Sequence, residues 1–331
     1  MAFNQNSGYG QALLAMVQGQ VPAFGNIHVV FNSSDSDEKN YQHVQDLFPV
    51  DTDGNVRFYT SLESAYAAVE SNNNDVILLD ANSSHSITNG IAWSKNRVHV
   101  IGMDGGDRLV QQGAKVQLAT ASTSAYVIKV TGVRNSFRNV KFIQAATAAT
   151  GLHVLEEGGE GNLYKNCTFT FGAVDNLDLT TATEVLCGSD SATFIDCLFG
   201  TETLLTSAAR TVFTIDQVTT SQEFKSNILK GCTFLISSSS ASAYLLSVSA
   251  NTDILYTNLF KDCTFMASVD SAGGIALTDA VVSIAALAKG TVNFANPTVF
   301  NCTNFCSGVS TGFMVAAPAA SAGAFEAAEP S

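Results

Sequence analysis

Four cysteines occupy one place in a repeated phrase. Tyr164–Phe171 reads YKNCTFTF, Phe194–Thr201 FIDCLFGT, Leu229–Ile236 LKGCTFLI and Phe260–Ala267 FKDCTFMA. Thiols in register could ligate a metal, pair as disulfides or pack as small apolar side chains. Zinc wants two close ligand pairs, typically C-x2-C, with His often completing the set. The one close pair is Cys302 and Cys306, and no His follows His153. If each phrase is one layer of a stack, inward Cβ atoms lie about 4.8 Å apart, whereas a disulfide wants about 3.8 Å. Packing as compact reduced side chains is the expected role, with metal or redox use as the alternatives. A row of free thiols also fits assembly in cytosol.

The carboxylates and bases suggest other chemistries. Glycoside hydrolysis needs two carboxylates, and a polysaccharide lyase needs carboxylates for calcium plus a base. Asp175, Asp178 and Asp190 are the nearest approach to an acidic cluster, but no basic or His partner accompanies them. Glu156-Glu157-Gly158-Gly159-Glu160 reads as an exposed turn whose three carboxylates repel unless a cation such as calcium intervenes. Asp51–Asn55 (DTDGN) could open a calcium loop, yet the twelfth position, where a bidentate Glu belongs, is Leu62. An Asp-Gly turn is expected there. Beyond residue 160 the bases are Lys165, Arg210, Lys225, Lys230, Lys261 and Lys289. Arg138, Lys165, Lys230 and Lys261 stand two residues before the repeat centre, with Asp196 and Asp262 one step on. They read either as a stripe for an acidic glycan or capsid surface, or as a solvated corner of offsetting charges, which is the expectation. No catalytic, cofactor-binding or metal-binding residue is assigned.

The elements behind these residues follow from the repeat. Its centres are Val140, Cys167, Cys197, Cys232, Cys263 and Cys302, spaced 27, 30, 35, 31 and 39 residues apart. Phe142, Phe169, Phe199, Phe234 and Phe265 follow two residues later, with Phe305 one place late. Phe137, Tyr164, Phe194, Leu229, Phe260 and Val299 precede by three. Asn139, Asn166, Asp196, Gly231, Asp262 and Asn301 precede by one, and these residue types tolerate left-handed turns. A weaker early copy, NRVHVIG, centres on Val98. In x-C-T-F the Cys and Phe face one way and the Thr the other, the alternation of a half-buried strand after a corner. Constant phrases with variable spacing suit coils carrying loops of different length. The predicted fold is all-β, a right-handed parallel β-helix with identical positions stacked as internal ladders.

The N-terminal third supplies a cap. Thr60-x-x-Glu63 is a capping box, and Leu62, Ala65, Tyr66 and Val69 share one helical face. A helix ahead of the first coil covers an open sheet end. Val76–Leu79 then starts the strands. The openings D-V-I-L-L and V-x-V-I-G resemble the first coils of the pectate-lyase-type β-helix superfamily. More narrowly, GNIHVVF…NYQHVQDLFPVDTDGNVRFYTSLESAYAAV…DVILLDANSSHSI…VHVIGMDGGDRL resembles β-helix proteins encoded in tailed phages and prophages near capsid genes. The resemblance covers residues 25–110 and implies a virion component, a head decoration or cement protein. Its partners would be the major capsid protein and its own copies, as a homotrimer, assembled in the host cytoplasm. Where such relatives carry Pro-Gly-His, this chain has Asp80-Ala-Asn-Ser-Ser-His85 and keeps only the His.

Composition bounds the rest. With 46% hydrophobic and 14% charged residues in 331, the surface must lean on Ser, Thr and Asn. A net charge of -13 argues against nucleic acid. No apolar run is long enough to span a bilayer, and MAFNQNSGYGQALLAMVQGQ lacks the pattern of a secretory signal. The sequons at Asn32, Asn82, Asn166 and Asn301 then carry no glycan. The expected organisation is an N-terminal arm over 1–57, a cap helix and β-helix over 58–306, and a low-complexity tail over 307–331. A tail-associated glycan-binding or polysaccharide-degrading β-helix protein is the alternative reading.

Overall fold

The computed structural model describes residues 25–31, 57–81, 84–103, 112–172, 178–219, 222–249, 253–269, 273–283, 290–306 and 313–316. Asp51–Asn55 and Asp175, discussed above, lie outside them, as does most of both terminal segments.

The strands form three parallel sheets, and each coil contributes to them in turn. One coil shows the plan: Ser136–Arg138 in the first sheet, Lys141–Gln144 in the second and His153–Glu157 in the third, before Leu163–Lys165 returns to the first. Every strand pairs in parallel with its counterpart one coil on, Lys141 with Thr168, Leu155 with Val185 and Tyr164 with Phe194. The chain is thus a parallel β-helix. Ile27–Val30 sits inside the first sheet between Phe58–Tyr59 and Val76–Leu79, and Phe313–Ala316 extends the same sheet from within the expected tail.

Corners explain why these residues wind. Asn139, Asn166, Asp196, Gly231, Asp262 and Asn296 all have φ between 50° and 64°. They occupy one position, the turn from the first sheet into the second, and Asn, Asp and Gly are the residues that accept it. After the corner come the thiols. Cys167, Cys197, Cys232 and Cys263 are buried and free. Each donates to the carbonyl two residues back in its own coil and to a carbonyl of the coil below; Cys232 reaches Lys230 O at 3.6 Å and Phe194 O at 3.5 Å.

The repeat differs from its sequence reading at both ends. Thr264 pairs with Thr298 and Phe265 with Val299, so the residue above Cys263 is Pro297, not Cys302. Val299 holds the second-sheet Phe position, and Phe294 pairs with Phe260. Cys302 belongs to the third sheet, opposite Leu277. It follows Asn301, which also has positive φ but at a different corner. With Pro297 the last spacing falls from 39 to 34 residues, close to the others. At the other end Val98 lies beneath Asn135, and Ala114 is the residue below Val140.

Aromatic side chains fill the interior. Phe137 and Tyr164 stack at 5.2 Å, Tyr164 and Phe194 at 4.7 Å, and Phe142, Phe169 and Phe199 continue a second column at 5.5 and 5.7 Å. Each ring fully removed from water contributes roughly 1.5–3 kcal/mol, and offset stacking adds about 0.5–1.5 kcal/mol a pair. A second column is polar. Asn135, Asn162, Asn227 and Asn258 are buried five residues before Val140, Cys167, Cys232 and Cys263, with Ala192 in the same place before Cys197. Their side chains hold backbone amides of the coil below: Asn135 accepts from Val98 N, Asn162 from Asn135 N, Asn227 from Ala192 N and Asn258 from Asn227 N, at 2.8–3.0 Å. Amides at a sharp corner cannot join a ladder, so these carboxamides prevent orphaned donors.

The N-terminal end is covered by the helix Leu62–Ala68, which buries Leu62 and Ala65. Its N-cap is Ser61, whose Oγ accepts from Ser64 N, rather than Thr60. Glu63 does not close a capping box; it accepts from Thr88 N in the first coil. Tyr66 stacks on Trp93 at 4.1 Å, joining cap to core.

Candidate functional site

The corner between the third and first sheets opens a cleft of about 230 Å³ lined by Gly158, Gly159, Glu160, Gly188, Asp190, Gln222, Glu223 and Lys225. Glu160, Asp190 and Lys225 stack in successive coils. Lys225 Nζ lies 3.0 Å from Asp190 and 3.6 Å from Glu223, and its bond to Asp190 holds the ammonium above its usual range. Gln222 spans the cleft. It donates to Gly158 O at 2.6 Å and accepts from Thr219 N and Val218 N. Of the acidic trio expected from sequence, Asp190 is therefore in an ion pair, Asp178 sits elsewhere and Asp175 is outside the described residues. Asp178 accepts from Ser207 N, Ser207 Oγ and Thr206 Oγ1, and the Ser207 amide in particular lowers its pKa.

The Glu156–Glu160 segment is not an exposed turn. Glu156 and Glu157 end the strand His153–Glu157 and are buried, and only Glu160 is exposed. Glu156 pairs with Lys129 at 2.8 Å. Glu157 is sealed in the interior, where it accepts from Gly159 N at 2.8 Å, Asn162 Nδ2 at 2.9 Å and the Tyr164 hydroxyl. Burial pushes its carboxyl up to about 7, against the pull of those three donors. Glu156 and Glu157 thus point to different environments, Glu156 to Lys129 and Glu157 to the interior. Sequence reasoning missed Glu157 because strand alternation, not the run of acids, decides where it points.

A second buried carboxylate, Glu184, also escaped notice. It forms a two-pronged pair with Arg210, at 2.8 and 3.0 Å, and both side chains are fully enclosed. Arg210 also lies over the Phe171 ring. Burial raises the Glu184 pKa while Arg210 opposes it.

Three of the described histidines, His28, His85 and His99, sit in hydrogen-bonded settings within the fold. His85 is buried with Nε2 at 2.9 Å from Asp80 O, and burial lowers its pKa. His28 Nδ1 meets the Tyr59 hydroxyl at 3.2 Å, and its Nε2 lies 3.6 Å from Asp75. Asp75 is enclosed and accepts from Asn26 N, Glu70 N and Asn73 Nδ2. Burial would raise its pKa, but His28 and the amides hold it low. His99 pairs with Ser136 Oγ at 2.8 Å, and burial with Arg138 nearby drops it to about 4.

The four ladder thiols are buried; burial would raise the Cys232 pKa, but hydrogen bonds from Cys197 and Cys263 lower it. Burial raises the Cys197 pKa, and it pushes Cys187 up to about 12 and Cys302 and Cys306 to about 11. Among the described residues no cluster of three or more His, Cys, Asp or Glu has the geometry to hold a metal, and no helix is long and apolar enough to cross a membrane. The corner cations are where the sequence placed them, with Lys165 over Arg138 and Lys261 over Lys230. The expected charge compensation is not made by contact. Among the described residues no ion pair joins Lys165, Lys230 or Lys261 to Asp196 or Asp262, and Asp262 instead accepts from Asn296.

No protein-family model matches the chain, and no curated protein matches it. Among solved structures it is similar to a pectate lyase, Pel9A, at 14% identity and TM-score 0.52, over 91% of this chain and 78% of that one. Its fold is the right-handed parallel β-helix of pectate lyases. A pectin methylesterase from Aspergillus niger is similar at 11% identity and TM-score 0.41, over 90% of this chain and 92% of that one. The ORF18 protein of Geobacillus virus E2 is similar at 12% identity and TM-score 0.47, over 76% of this chain and 54% of that one.

Of the described carboxylates, Glu184 and Asp190 tie one coil to another through Arg210 and Lys225, and Glu157 ties the residues of its own corner. Glu157, Glu184 and Asp75 are enclosed, and Asp190 and Glu223 share one lysine. A carboxyl sealed like Glu157 cannot exchange protons with a substrate in solvent, and general acid–base work requires contact with the reacting group.

Proposed function

We propose that this chain is a structural component of a tailed-phage particle, a capsid decoration or cement protein held on the head surface as a trimer by contacts with the major capsid protein. It works as a rigid β-helical strut rather than as an enzyme. The observation that carries this reading is the commitment of its ionisable groups: in the cleft Asp190 and Glu223 are held by Lys225, and Gln222 spans the space between strands. Two other strongly perturbed carboxyls lie inside the coil stack, Glu157 bonded to its own corner and Glu184 to Arg210 of the next coil. The resemblance of residues 25–110 to phage-encoded β-helix proteins supplies the biological setting. Many weak contacts repeated over a symmetric shell give avidity without a deep pocket.

The second reading is a tail-associated protein that binds or cleaves a polysaccharide. The feature favouring it is the cleft itself, where Glu160 stands exposed beside the Asp190–Lys225 pair. Quantitative mass spectrometry of purified particles tests the first reading, which expects the chain in amounts comparable to the major capsid protein. A trace amount, together with unsaturated product from uronate-containing polysaccharide, would replace it with the second.

A further inference from the structure

The turn from the first sheet into the second concentrates positive charge on an acidic protein. Arg138, Lys165, Lys230 and Lys261 occupy one outward column, interrupted by Ile195, and Lys115 and Lys141 sit opposite each other in the adjoining column. These are six of the chain's 16 cations, in a molecule of net charge -13. Two carboxylates, Asp196 and Asp262, are interleaved with them. Burial, then the neighbouring Lys115, lowers the Lys141 pKa. Two residues earlier on the same strands is a second outward column, Ser136, Leu163, Thr193, Ile228 and Leu259, in which Ile228 is 42% exposed.

We infer that this face docks an acidic protein surface, in its simplest form a helix laid along the coil axis with one carboxylate per turn. The spacings agree. Coils repeat every 4.8 Å or so, and a helix turns every 5.4 Å or so, so four turns keep near register with the column from Arg138 to Lys261, roughly 19 Å long. Leu163, Ile228 and Leu259 in the column beside the cations suit Leu-type side chains on the same helix. Nucleic acid and acidic glycans are less suited. Both are extended polyanions that would run beyond this patch on a molecule of net charge -13, and bases gain most from aromatic platforms, whereas neither cation column holds an aromatic residue among the described residues. The inference deepens the proposed shell role and rests on it only for the biological identity of the partner. Peptide binding can fail while particle location holds, and the reverse.

The test is fluorescence anisotropy of the full chain with a labelled, helix-stapled peptide carrying Glu once per turn and Leu beside it. The comparison peptide has the same composition with Glu scattered round the helix. The striped peptide is expected to bind more tightly, to weaken as salt rises, and to lose about tenfold or more in affinity for the triple variant Lys165→Glu, Lys230→Glu, Lys261→Glu. If circular dichroism shows that variant misfolded, Lys230→Gln at an exposed site replaces it, with an expected loss of about twofold to threefold. Equal affinity for the two peptides, no loss in the variants, or tighter binding of polygalacturonate or duplex DNA would overturn the inference. So would a wild-type oligomer in sedimentation that the charge reversals dissolve, because the face would then belong to a second copy.

Discussion

Glu157 offers the sharpest energetic test of the stacked interior. Its carboxyl is raised from 4.5 to about 7 by burial, so the folded state keeps a proton that the unfolded chain releases between those values. Stability contributed by the protonated acid is complete below pH 4.5 and is lost as pH rises to about 7. The size of the loss is about 3 kcal/mol, from about 1.4 kcal/mol for each tenfold change in proton activity. Other groups tilt the raw profile the opposite way. His99 and His153 are depressed to about 4, so their folded forms resist protonation and stability falls as pH drops below 6.5. The informative quantity is therefore the difference between wild type and Glu157→Gln. The amide keeps an oxygen for Gly159 N and Asn162 Nδ2, and its NH2 can donate to the Tyr164 hydroxyl. Urea unfolding at steps from pH 4.5 to 8 should show the variant gaining on wild type by about 3 kcal/mol across the range and levelling above pH 7. A difference that stays flat with pH, or grows toward acid, would refute the assignment of a sealed protonated carboxyl.

Three further outcomes follow from named contacts. Asn227→Ala strands the Ala192 amide and the Ser189 hydroxyl and carbonyl, and urea unfolding should show a loss of about 2–4 kcal/mol. Arg210→Met leaves Glu184 enclosed without its partner and should cost about 3–5 kcal/mol, while adding Glu184→Leu should recover most of it in the same thermal or urea assay. Cys167, Cys197, Cys232 and Cys263 should resist a thiol-reactive disulfide reagent in the native state at pH 8 and react fully in denaturant, because they are buried.

The coil stack was legible because inward positions repeat with their chemistry intact. Cys-x-Phe after Asn, Asp or Gly encodes a corner and the two faces of the strand after it, which is enough to infer the winding. The ends were less legible for a physical reason. Asn301-Cys302 copies the local corner chemistry, yet it turns from the second sheet to the third, and the true equivalent, Asn296-Pro297, has lost its thiol. Only pairing register separates the two. The buried asparagine column was present in the sequence, since Asn135, Asn162, Asn227 and Asn258 each precede a centre by five. A polar residue among apolar ones reads as surface unless the coil below is known to present an amide to it. Glu157 was hidden for a related reason. Its environment is assembled from Gly159, Asn162 and Tyr164 at a corner whose fold depends on the neighbouring coils. Likewise, Glu184 and Arg210 are 26 residues apart in the chain and meet only because one coil separates them.

The central claim is location on a phage head, and cryo-electron microscopy of intact particles tests it most directly. The account predicts three-sided β-helical density on the capsid exterior, with the face that carries Lys165, Lys230 and Lys261 turned toward a neighbouring subunit. Density of this shape found solely at the tail tip, or a particle complete without it, would contradict the account.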